Sequence, residues 1–135
     1  MILVDTSVWI DFLRDGDDTL ASLLNRSAVL GHPCVTGELA LGNLRNRDEI
    51  LGLLRDLPQA IVAEHDEVLH LINDRRLNGH GIGYVDAQLL ASARLTPDAR
   101  LWTKDKRLAA LGTQLGVGST FAASPRSSRS GGEPP

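Results

Sequence analysis

Ile2-Leu3-Val4-Asp5-Thr6-Ser7-Val8-Trp9-Ile10-Asp11-Phe12-Leu13, near the start of the chain, sets its architecture. Three apolar residues ending in an acid are too short for a buried helix and match a strand of a parallel sheet, buried on both faces. Thr6 or Ser7 then offers a cap for a helix with Trp9, Phe12 and Leu13 as its apolar stripe. The same order returns near the other end of the chain. Leu101-Trp102-Thr103 reads as a strand, Asp105 follows it, and residues 106–115 carry Leu108, Leu111 and Leu115 at helical spacing. Between the two, helical patterns run over 19–26, 36–44, 48–57, 66–77 and 84–95. Ala60-Ile61-Val62 reads as a further short strand, and residues 117–121 as an edge strand. Strands alternating with helices predict an α/β chain, a three-layer α/β/α sandwich on a mainly parallel sheet. From Ser124 the chain reads SPRSSRSGGEPP, without core-forming residues. That predicts a domain over 1–123 and a disordered polar tail over 124–135.

Composition narrows the class. A chain of 135 residues with 42% hydrophobic and 23% charged residues has the make-up of one ordinary globular domain. No apolar run approaches the ~20 residues that cross a bilayer, so no membrane association is expected. Asp5 interrupts the apolar start and no basic segment precedes it, unlike a secretory signal. The single cysteine, Cys34, forbids an intrachain disulfide, and a cytoplasmic location is expected. The net charge of −3 weighs against a nucleic-acid partner. Once four of the 17 acids are set aside for a metal, 13 face 14 Lys and Arg, and the objection weakens.

Those four acids carry the chemistry. In an open parallel sheet, sites form outside the carboxyl ends of the strands. Asp5 and Asp105 lie at such ends, while Glu38 and Asp86 are placed near the starts of their helices. If these helix ends face the same sheet edge, four carboxylates converge. Two unit charges ~4 Å apart repel by roughly 1 kcal/mol in water and several times more when partly buried. A hard divalent cation relieves the repulsion, and carboxylate oxygens suit Mg²⁺ or Mn²⁺. Such a cation promotes phosphodiester hydrolysis.

The wording around each acid resembles the PIN-domain family. MILVDTSVWIDFLR is similar to its first motif, TGELALG to the second, GHGIGYVDAQLLASA to the third and LWTKDKRLAALG to the fourth. Order and wording are most similar to the bacterial VapC toxins. The resemblance implies a PIN-like fold and an Mg²⁺- or Mn²⁺-dependent endoribonuclease. It implies metal ligation and catalysis by Asp5, Glu38, Asp86 and Asp105, with Thr6, Ser7 and Thr103 in support. It also implies an RNA substrate, a VapB-type antitoxin partner and a homodimer. A catalytically silent PIN module that binds RNA or a protein is the alternative.

Other residues have plainer readings. Lys104 and Lys106 flank Asp105 and are the best candidates for RNA phosphate contacts, whereas most Arg residues suit a solvated face. Asp11, Asp15, Asp17 and Asp18 read as solvent-facing, and His32, His65, His70 and His80 as surface histidines without metal spacing. Trp9 and Trp102 read as core. The glycines at 79, 81 and 83 do not follow a strand, so a dinucleotide loop is rejected. Ser7 occupies the place where a haloacid-dehalogenase-type phosphatase needs its second Asp. A signalling receiver domain wants adjacent acids after its first strand, and Asp5 is followed by Thr6 and Ser7.

Overall fold

The computed structural model describes residues 1–121. The expected tail over 124–135 and the boundary at 123 lie outside the described residues. The short apolar runs form a three-stranded parallel sheet with β1 (Ile2–Val4) in the centre. β2 (Val29–Leu30) lies on one side of it and β3 (Arg100–Trp102) on the other. Leu3 stands opposite Leu30 in one neighbour and Leu101 in the other. Leu3 and Val4 are fully buried, which is why the central strand is apolar at successive positions.

Seven helices surround this sheet among the described residues: α1 (Thr6–Asp15), α2 (Asp18–Asn25), α3 (Pro33–Ala40), α4 (Arg47–Asp56), α5 (His65–Arg75), α6 (Tyr84–Leu95) and α7 (Lys106–Gln114). The α/β class read from the sequence therefore stands. Helix α6 is buried from Ala87 to Ala93, with Leu89 and Leu90 wholly enclosed. Truncating either leucine to alanine should cost about 2–5 kcal/mol.

Several local expectations are corrected. Ala60-Ile61-Val62 is not a strand, and Ile61 and Val62 are exposed. Side chains take the N–H groups that a ladder would otherwise use: Ile61 donates to Thr96 Oγ1, and Ala63 to Gln88 Oε1 and Ser92 Oγ. Residues 117–121 make only a single bridge, Gly118 beside Leu101. Helix α3 begins at Pro33, with His32 rather than Thr36 at its entrance. His32 is not a surface residue. It is wholly buried, accepting from Cys34 N at Nδ1 (3.0 Å) and meeting Ser92 Oγ at Nε2 (2.9 Å). Since Nδ1 accepts, the neutral ring carries its proton on Nε2 and donates to Ser92. Burial holds this imidazole below the usual histidine range.

Candidate active site

Parallel pairing of β1 and β3 sets the site. Asp5 N donates to Trp102 O (2.9 Å), so the chain leaves both strands at the same sheet edge. Asp5 is buried there and becomes the N-cap of α1, accepting from Thr6 N at 2.8 Å. The cap is thus Asp5 itself, not Thr6 or Ser7. Its Oδ2 also receives Thr103 Oγ1 (2.7 Å) and Ser7 Oγ (3.0 Å). Both hydroxyls have a second task. Thr103 Oγ1 accepts from Asp105 N (3.1 Å), and Ser7 Oγ accepts from Lys104 N (3.1 Å). Two small side chains therefore hold the β3–α7 turn against Asp5.

Asp105 repeats the pattern as the N-cap of α7, where Oδ1 accepts from Arg107 N (2.8 Å) and Leu108 N (3.1 Å). Asp86 occupies the first turn of α6, and its Oδ2 accepts from Gly83 N (3.2 Å). Three acids thus sit at helix N-termini, where unpaired N–H groups and the helix dipole favour negative charge. Glu38 differs from the expectation. Because α3 starts at Pro33, Glu38 lies in its second turn and is exposed. Thr6 ties it to the site by donating Oγ1 to Glu38 Oε1 at 2.6 Å.

The four acids share one electrostatic environment. The Asp86 carboxyl is raised above its ordinary range, first by burial and then by repulsion from Asp5, Asp105 and Glu38, although the Gly83 N–H opposes this. Asp86, Asp105 and Glu38 each use one carboxylate oxygen in these bonds. The other oxygen of each has no hydrogen-bond partner among the described residues. Four hard oxygen donors in a negative field suit Mg²⁺ or Mn²⁺ far better than a soft metal. The fit is one of chemistry rather than finished coordination: among the described residues no three acids already form a ligand cluster.

A PIN-domain model matches residues 2–113. The chain belongs to the PIN-domain family. It is also 54% identical over 117 residues to ribonuclease VapC32 of Mycobacterium tuberculosis, in strains CDC 1551 and H37Rv alike. That alignment covers 87% of this chain and 94% of the relative. The PIN match contains all four acids, from the end of β1 to the start of α7.

Within this PIN domain the two flanking lysines differ. Lys104 is half-buried and Nζ pairs with Asp11 Oδ2 at 2.6 Å, so its ammonium is turned toward α1. Asp11, read as solvent-facing, also meets Arg14 and ties α1 to the turn before Asp105. Its place in α1, the helix that Asp5 caps, was the available signal. Lys106 is exposed.

Proposed function

We propose that this PIN-domain protein is a metal-dependent endoribonuclease and the toxin of a VapBC-type toxin–antitoxin pair. The observation that carries this reading is the grouping of Asp5, Glu38, Asp86 and Asp105 around one sheet edge, in a chain 54% identical to a named ribonuclease. In it, the four carboxylates hold Mg²⁺ or Mn²⁺, directly or through water. The cation, when bound, stabilises charge on the attacking or leaving oxygen of the phosphodiester. Thr103 and Ser7 keep Asp5 in place, Thr6 does the same for Glu38, and one acid orients the attacking water. Lys106 is the better placed lysine for an RNA phosphate, because Lys104 is engaged by Asp11.

The partners follow from the same reading. A groove of about 650 Å³ beside Glu38 is lined by Ile10, Leu13, Leu39, Leu44 and Ile50, among others. It suits an amphipathic segment of a VapB-type antitoxin, whose arginine could pair with the acids. Exposed Leu69 and Leu95 supply apolar surface for a homodimer. No helix among the described residues is long and apolar enough to cross a membrane, and we place the protein in the cytoplasm.

The test is cleavage of total RNA by the purified protein. Cutting should require Mg²⁺ or Mn²⁺, stop in chelator and fall sharply in Asp5→Asn. RNA bound but left intact under all metal conditions would favour the silent-module reading.

A further inference from the structure

The start of α6, the helix that carries Asp86, has its own construction. Tyr84 opens α6 two residues before Asp86 and leaves 45% of its surface exposed. Its hydroxyl meets Nδ1 of His65, the first residue of α5, at 2.8 Å. The two rings lie 5.5 Å apart and are tilted by 43°. On the α7 side, Arg107 follows Asp105 by two residues and donates Nη1 to Gly81 O at 3.4 Å. The loop entering α6 is therefore backed by a guanidinium and ends in an exposed aromatic ring.

An exposed tyrosine at a helix start is ordinarily a solvated surface residue. Here its phenol is tethered by an imidazole from a second helix, so the ring is held while much of it stays open. A ring already fixed loses little conformational freedom when a planar group settles on it. Proteins that take single-stranded RNA stack unpaired bases on such rings.

We propose that Tyr84, pinned by His65, is a platform on which a base beside the scissile phosphate stacks. This rests on the ribonuclease reading above and adds a substrate-positioning residue to it. Every base has a π-face, so the platform sets where the strand lies rather than which sequence is chosen. His65 is a positioning residue that acts through Tyr84.

The test is fluorescence anisotropy with a labelled oligoadenylate, in Ca²⁺ to occupy the acidic site. A second probe of the same length carries abasic sites. Wild type should bind the oligoadenylate, and Tyr84→Ala should bind about tenfold more weakly. Tyr84→Phe keeps the ring but loses the hydroxyl that His65 holds, so it and His65→Ala should both fall between wild type and Tyr84→Ala. The abasic probe should bind wild type and Tyr84→Ala alike. Thermal melts confirm that each variant is folded. Wild-type affinity for oligoadenylate in Tyr84→Ala would overturn the platform and leave the ribonuclease reading standing. So would an equal loss on the abasic probe, since that loss would not arise from stacking. Failure of wild type to bind either probe would overturn the platform, while cleavage of total RNA measured on the same preparation decides the ribonuclease reading separately.

Discussion

Replacing Thr103 by valine removes one hydroxyl while keeping the shape of a residue that is 3% exposed. Its long 3.4 Å contact with Ser7 Oγ goes with it, and so do two shorter hydrogen bonds. Thr103 Oγ1 no longer donates to Asp5 Oδ2 at 2.7 Å, a hydrogen bond to a carboxylate worth about 1.5–3 kcal/mol. Asp105 N, which donates to that hydroxyl at 3.1 Å, loses its acceptor in a half-buried setting, at a cost of about 1 kcal/mol. Asp5 keeps Thr6 N and Ser7 Oγ, which limits the damage. The expected net loss is about 2–3 kcal/mol. For a domain of this size that lowers Tm by about 10 °C. Thr103→Ser keeps the hydroxyl and should lose only about 1 kcal/mol, for the missing methyl group. Urea denaturation and thermal melts in chelator read both variants without a contribution from metal. RNA cleavage by Thr103→Val should also drop, because Asp5 and Asp105 are no longer held together. A Thr103→Val melt within about 1 °C of wild type would refute the idea that this hydroxyl organises the two acids.

Metal should stabilise the fold, with a gain of roughly 2.7 kcal/mol when Mg²⁺ or Mn²⁺ stands at ~100 times its dissociation constant. Asp5→Asn should blunt that gain in a thermal-shift titration, and an equal gain in both proteins would move the metal elsewhere. Asp86 has a raised carboxyl, so the folded chain holds its proton more tightly than the unfolded chain does. Its penalty therefore grows as pH rises from the ordinary carboxylate range through the raised folded-state one. Asp86→Asn should accordingly melt higher than wild type in chelator at pH 7 and respond less to metal. A lower melting point would contradict the repulsion argument. His32 works in the opposite sense, because its lowered value means that the unfolded chain protonates first. Stability should be level above about pH 6.5 and decline as pH falls below it. A His32→Gln variant with the same slope between about pH 6.5 and 5.5 would assign that decline to other groups.

Much of this arrangement could be read in the residues themselves. Strand, acid and helix in tight succession located Asp5 and Asp105, because a parallel strand buried on both faces must be apolar and must end where a polar residue can surface. Asp86 was legible from the helix whose first turn it occupies. Glu38 lies further into its helix than a pattern over 36–44 implies, because the helix already starts at Pro33. Proline suits a first helical turn, and His32 could cap it; that signal was present. Ala60-Ile61-Val62 failed as a strand because three apolar residues cannot reveal that Thr96, distant in sequence, takes the Ile61 N–H, or that Gln88 and Ser92 take that of Ala63 just beyond. Lys104 illustrates the same limit. Its neighbour Asp105 suggested an RNA contact, but the turn aims the side chain at Asp11, 93 residues earlier.

The central claim, that these acids support hydrolysis by water, is tested most directly by the ends of the cut RNA. A general base paired with the RNA 2′-hydroxyl is the competing route, and it leaves cyclic phosphates. His32 is buried in another network, and the exposed His65 is bonded to Tyr84. The measurement uses an RNA that the protein cuts, prepared with a single 2′-deoxy residue at the scissile position. Cutting should continue in Mg²⁺ or Mn²⁺ and leave a 5′-phosphate and a 3′-hydroxyl. Loss of cutting on the deoxy substrate, together with 2′,3′-cyclic phosphate ends on the unmodified one, would contradict hydrolysis by water.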